Sequence, residues 1–229
     1  MFPRVLEAEW LDELPAADAR ALRSRADLRR VNWTMGNARL IAAPLKSVLP
    51  AQGSLRIADL GAGDGCLTLS VARRLHRPDV RLTLVDRAPV VHGVTVNAFA
   101  ALRWRANLAA ADVFQFLSQP GAMFDAIVVN LFLHHFDPER LARLLALIAR
   151  RTRIFVACEP RRSQFALLGS RFLWALGCND VTRHDAVVSV RAGFCADELS
   201  RLWPSRGWRV EEKRAGPFSH VFVAKRNAL

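Results

Sequence analysis

Three glycines at alternate positions, Gly61, Gly63 and Gly65, stand in the segment IADLGAGDGCLTL, with Asp59 just before them and Asp64 among them. Loop glycines let backbone approach a ligand closely, and a helix beginning beyond them favours negative charge. A dinucleotide fingerprint, G-x-G-x-x-G, would put its third glycine at position 66, where Cys66 stands. A pyrophosphate in this loop would also meet the Asp64 carboxylate, with Asp59 close behind, and like charges oppose binding. The loop therefore suits a phosphate-free ligand that brings positive charge to the glycines.

Side chains able to move a proton near neutrality collect further along the chain. His134 and His135 lie in LFLHHF, His184 in TRHDA, and Glu159 directly precedes Pro160. Histidine is the natural general base at physiological pH, and a carboxylate can orient a hydroxyl or steady an amine. His184 and Asp185 are neighbours in sequence, which by itself does not make them an oriented pair. Glu159 also has Arg161 and Arg162 nearby as simple ion-pair partners. His220 alternates with Phe218 and Phe222, the spacing of a packed strand face. The four cysteines, Cys66, Cys158, Cys178 and Cys195, form no C-x-x-C pair. Neither disulfides nor a structural zinc are expected, and no metal ligands are assigned.

These groups need elements to hold them. From about Leu55 onward, short apolar runs alternate with helical stripes: LRIADL, VRLTLVD, LRWRANL (Leu102–Leu108), FDAIVVNLF (Phe124–Phe132) and RIFVAC (Arg153–Cys158). Leu141, Leu144, Leu145 and Ile148 share one helical face behind Asp137-Pro138, an N-cap followed by proline at the first helical position. Such alternation predicts crossover connections and a parallel sheet with helices on both faces. The chain ends differently. Gly207–Gly216 and Pro217–Arg226 are separated only by a Gly-Pro turn, so they should pair antiparallel. The expected architecture is an α/β Rossmann-like three-layer sandwich, with seven mostly parallel strands and one antiparallel strand. Residues 1–50 read as an N-terminal helical cap, and 51–229 as the ligand-binding domain. Within the latter, an insertion over about 162–193 carries Phe165, Leu168, Phe172 and Leu176 on one stripe of an apolar helix ending at Gly177. It should lie above the carboxyl edges of the strands, where open α/β sheets bind ligands.

With these residues in this order, the chain from about Leu55 to Arg226 resembles the class I S-adenosylmethionine-dependent methyltransferases of the small-molecule type. Their first motif resembles strand-D-x-G-x-G-x-G, matched by Asp59, Gly61, Gly63 and Gly65. The resemblance implies that this loop, with Ala62, cradles the methionine end of the cofactor. It implies that Asp86, beside Arg87, binds the ribose hydroxyls, and that Asp112, beside Val113, meets the adenine amino group. FDAIVVNLFLHHF resembles the fourth motif, whose strand end at Asn130 and Leu131 faces the methyl group. In relatives an N-terminal helix closes over the cofactor, which brings in Trp33 and Asn37. The implied catalytic candidates are His134, His135, His184 and Glu159.

Composition bounds the partners. The chain has 229 residues and a formal net charge of +12, carried almost wholly by arginine. That balance admits a nucleic-acid partner. Against one, the chain reads Asn130-Leu131-Phe132-Leu133 where base-amine methyltransferases carry N/D-P-P-Y/F/W, and no cysteine follows a proline. No apolar run is long enough for a membrane span, and no secretory leader is recognised, so a cytoplasmic location is expected. The expected activity is methyl transfer to a small aromatic, phenolic or quinol-like acceptor, with oxygen preferred over carbon or nitrogen. The alternatives are an RNA or other nucleic-acid methyltransferase and a cofactor-binding protein without turnover.

Overall fold

A computed structural model describes residues 2–50, 52–88 and 90–227. Its frame is one sheet of seven strands in the order β3-β2-β1-β4-β5-β7-β6. The strands are β1 (Leu55–Leu60), β2 (Val80–Asp86), β3 (Trp104–Ala110), β4 (Ala126–Asn130), β5 (Ile154–Pro160), β6 (Trp208–Ala215) and β7 (Ser219–Arg226). The first five pair in parallel, and β7 runs antiparallel to both β5 and β6. The terminal hairpin therefore forms as its short turn requires.

Strand periodicity sends alternate residues to two apolar cores. Ala58, Leu60, Ile127, Val129, Phe155 and Phe222 meet helices α6 (Val113–Ser118), α7 (Pro138–Arg151) and α10 (Glu198–Leu202). Leu55, Ile57, Leu82, Leu84, Val128 and Val156 meet α3 (Asn37–Val48), α4 (Cys66–Leu75) and α5 (Gly93–Ala101) on the other face. The result is a three-layer α/β sandwich. Helix α7 starts as its sequence dictates: Asp137 accepts from the Arg140 N–H at 2.8 Å, with Pro138 in the first turn.

The N-terminal region differs from a single cap. It forms α1 (Trp10–Glu13), α2 (Ala19–Met35) and α3, and Gly36 breaks the long helical stretch with a left-handed φ of 69°. Ile41, Ala42 and Leu45 of α3 are buried against the sheet, so α3 is a full member of one helical layer. Only residues before it overlie the domain, because the apolar face of α3 finds its partner on the strands. The insertion also departs from one apolar helix. It forms α8 (Gln164–Arg171), a 3-10 turn (Leu173–Leu176) and α9 (Asp180–Ala192). Phe165, Leu168, Phe172, Trp174 and Leu176 stay exposed.

Candidate functional site

In a parallel sheet with β1 and β4 adjacent at its centre, the connections leave in opposite directions and open a crevice at the carboxyl edge. The glycine loop runs from β1 to α4 at that edge. Gly61, Gly63 and Gly65 all adopt left-handed backbone, with φ of 74°, 53° and 73°. A Cβ on Gly61 would collide with the Phe132 ring, and one on Gly65 would press on Leu84 at 3.2 Å. Gly63 has open space where a Cβ would lie. It is the glycine whose backbone a ligand can reach.

Three carboxylates flank this loop, and a fourth, Asp112, follows β3 at the same sheet edge. Asp59 is buried on the α4 side of β1 and accepts a hydrogen bond from the Thr68 hydroxyl. Burial pushes its carboxyl up to about 7; the Thr68 bond pulls it down and the charge of Asp86 adds to the rise. Asp86, ending β2, accepts from the Gly63 N–H at 2.9 Å and from the Ala88 N–H at 3.0 Å. Asp64 accepts from the Cys66 N–H at 2.9 Å, just before α4, and pairs with Arg29 of α2 at 2.8 Å. Asp112 is the N-cap of α6, accepting from Phe114 and Gln115 at 2.8 and 3.3 Å.

The end of β4 is unusual in two respects. Leu131 takes a left-handed φ of 50°, a conformation that costs a non-glycine residue about 1–3 kcal/mol and gathers at functional sites. Asn130 donates to Asn32 Oδ1 at 3.0 Å, while its own buried Oδ1 has no partner among the described residues. Asn32 also accepts from Asn37 at 2.8 Å, and Asn37 accepts from Ser219 at 3.2 Å. This amide chain fastens the α2–α3 corner to the sheet beside the crevice.

Glu159 explains how the strained turn is held. Fully buried, it accepts from the backbone N–H groups of Phe132 and Leu133 at 3.0 and 2.9 Å, and from His134 Nδ1 at 2.8 Å. Across the imidazole, His134 Nε2 faces Glu9 Oε1 at 3.2 Å. Burial lowers the His134 pKa, but its bonds to Glu159 and Glu9 outweigh that and lift it to about 9. Burial likewise raises the Glu9 carboxyl, but its bonds to His134 and His135 reverse this and hold it well below the usual range. His134 thus carries charge and has both ring nitrogens engaged. His135 Nε2 lies 3.3 Å from the other Glu9 oxygen, and its Nδ1 donates to the Phe132 carbonyl at 3.0 Å.

His184 and Asp185 do form an oriented pair, since His184 Nδ1 donates to Asp185 at 2.9 Å. Asp185 also accepts from the Trp10 and Leu11 N–H groups at 2.8 and 3.0 Å, and the Trp10 ring stacks on His184 at 3.8 Å. His220 is buried and bonded to Glu212 at 2.7 Å, as a packed strand histidine.

The sheet gathers Asp59, Gly61, Ala62, Gly63, Asp86, Asp112, Asn130 and Leu131 at the carboxyl ends of β1 to β4. Three others stand apart from that group. Val113 is buried in the apolar core beneath, Arg87 is exposed, and Trp33 is 81% exposed on α2. Glu9 and Arg4 are the residues that sequence reasoning missed. Arg4 bonds the carbonyls of His134, Phe136 and Ala192 at 3.1, 2.9 and 2.7 Å. No local pattern could reveal them, because their partners lie more than a hundred positions away.

Comparison with known proteins agrees with this geometry. Residues 57–154 match a family model described as a methyltransferase domain. An uncharacterised methyltransferase of Mycobacterium tuberculosis is 35% identical over 101 residues, which cover 44% of this chain and 47% of that protein. The chain therefore matches about half the length of its curated relative. Among solved structures, the plantazolicin methyltransferase BpumL in complex with SAH superposes with a TM-score of 0.67 at 14% identity, covering 92% of each chain. The fold is that of a class I methyltransferase. The mitomycin 7-O-methyltransferase MmcR shares it, with a TM-score of 0.62 and 21% identity over 95% of this chain and 60% of that one. In this methyltransferase fold, the carboxylate-flanked loop and the strained end of β4 occupy the two sides of the central crevice.

Proposed function

We propose that the chain transfers a methyl group from S-adenosylmethionine to a small aromatic acceptor, phenolic or quinol-like, with oxygen as the preferred atom. One observation carries the cofactor reading: an open left-handed Gly63 flanked by Asp59, Asp64 and Asp86, with Asp112 after β3 at the same sheet edge. These carboxylates suit a ligand with an ammonium, a sulfonium and ribose hydroxyls. The orphaned Asn130 Oδ1 adds a buried acceptor at the same edge. The residues present fit the group.

In this reading Asp59 and the Gly61–Gly63 backbone, with Ala62, hold the methionine end, Asp86 the ribose and Asp112 the adenine. Bound S-adenosylmethionine supplies an electrophilic methyl carbon on a positively charged sulfur. The protein's task is then alignment of a nucleophile and removal of its proton. Glu159 and His134 are positioning residues: they hold the Phe132–His134 backbone and leave no free nitrogen to accept a proton. His184 is the better base, because Asp185 fixes its Nδ1 proton and leaves Nε2 to receive one. His135 is less suited, since its Nε2 already faces Glu9. The O-methyltransferase name of MmcR favours oxygen as the acceptor atom.

Calorimetric titration with S-adenosylhomocysteine, with NADH as the comparison ligand, tests the cofactor. Saturable micromolar binding of the first alone, lost in Asp86→Ala, is the expected result. Binding of NADH alone would overturn the reading.

A further inference from the structure

At the turn that follows β4, three potential ligand groups converge. Glu9, His134 and His135 each offer one ligand atom within 4.8 Å of the others, and the two Nε2 atoms face the two Glu9 oxygens at 3.2 and 3.3 Å. The convergence is built from behind. His134 Nδ1 is fixed by Glu159 at 2.8 Å and His135 Nδ1 by the Phe132 carbonyl at 3.0 Å. Metal-binding histidines characteristically have one ring nitrogen tied to a carboxylate or backbone carbonyl, which turns the lone pair of the other toward the ion. Both histidines show that arrangement. The Ser189 hydroxyl donates to Glu9 Oε1 and orients the third donor in the same way.

A charge-assisted N–H···O bond spans about 2.7–2.9 Å, and His134 Nδ1 meets Glu159 within that range. The contacts of His134 Nε2 and His135 Nε2 to Glu9 are longer, at 3.2 and 3.3 Å. Ligands held about 2.0–2.1 Å from a tetrahedral zinc ion stand roughly 3.3 Å apart. Without an ion, His134 Nε2 holds a proton against Glu9; a bound metal would displace that proton and take its place.

We propose that His134 Nε2, His135 Nε2 and the Glu9 carboxylate form a binding site for a divalent first-row transition metal, with zinc the best match. Imidazole and carboxylate together suit zinc, cobalt or iron rather than calcium or magnesium. Three protein ligands leave a fourth position for water or a hydroxyl. His134 is buried, whereas His135 reaches solvent, so the ion enters from the His135 side. The metal ties the segment carrying Glu9 to the turn that follows β4. This inference stands on the cluster itself and not on the methyl-transfer reading.

The test uses the full chain, stripped with a chelator and titrated with Co²⁺ while visible absorption is recorded. One equivalent should bind with micromolar or better affinity and give the intense bands of tetrahedral cobalt. Zn²⁺ should displace it and raise the melting temperature of the wild-type protein. Glu9→Gln and His135→Ala should each weaken binding by a hundredfold or more, and Cys66→Ser should leave it unchanged. Absence of saturable binding by the wild type would overturn the site, whatever the variants do. Binding that survives both ligand substitutions would do the same, as would a thiolate–cobalt band abolished by Cys66→Ser. Binding of S-adenosylhomocysteine, measured on the same samples, reports independently on the crevice.

Discussion

Asp59 shows how one buried carboxyl can link stability to ligand affinity. Its folded pKa of about 7 stands above the ordinary 3.8, so the folded protein holds this proton more tightly than the unfolded chain. The stability it contributes is complete below about pH 4 and is lost as pH rises through 7, a span of roughly 4 kcal/mol. Urea midpoints recorded from pH 4 to 8 should fall over that window, and Asp59→Asn should remove this component of the fall. Affinity for S-adenosylhomocysteine should move the opposite way, rising as Asp59 ionises to face an ammonium. Asp59 was legible as a site residue because its position before the glycines is a local pattern. Its raised pKa was not, since it arises from packing between β1 and α4. The histidines divide in the same way. The place of His134 and His135 after β4 could be read, but the helix that carries His184 and the carboxylates that engage these rings are set by tertiary contacts.

Elements were most legible where burial is continuous. β1 and β2 begin and end where their apolar runs do, because both faces of each strand are covered. β3 starts two residues later than LRWRANL, as Arg103 takes a left-handed φ of 60° and ends the preceding turn. The break at Gly36 was hidden inside a stretch whose helical pattern runs straight through it. The glycine loop allows a sharper comparison between neighbours. Gly61→Ala should destabilise the fold by about 1–3 kcal/mol, since a left-handed alanine must also displace the Phe132 ring. Gly63→Ala bears a similar backbone cost of about 1 kcal/mol but meets no protein atom. It should stay folded by circular dichroism yet lose binding of S-adenosylhomocysteine at least tenfold.

At the level of the whole molecule, no helix among the described residues is long and apolar enough to cross a membrane. The segment before α2 is clipped to the domain rather than packed by an apolar face. Arg4 contributes three bonds to backbone carbonyls and stacks its guanidinium on Phe194 at 4.7 Å. Arg4→Ala should lower stability by roughly 1–3 kcal/mol by leaving buried carbonyls unpaired, a loss readable as a shift in denaturant midpoint at unchanged slope. The partners of this segment lie far downstream: Phe2 with Arg162, Glu9 with His134 and Ser189, Trp10 and Leu11 with Asp185. Ribosomes release a chain from its first residues onward. Glu9, Trp10 and Leu11 therefore complete these contacts only after α9, with Asp185 and Ser189, has been made. The histidine turn, made with β4, receives a Glu9 carboxylate oriented by Ser189 only then.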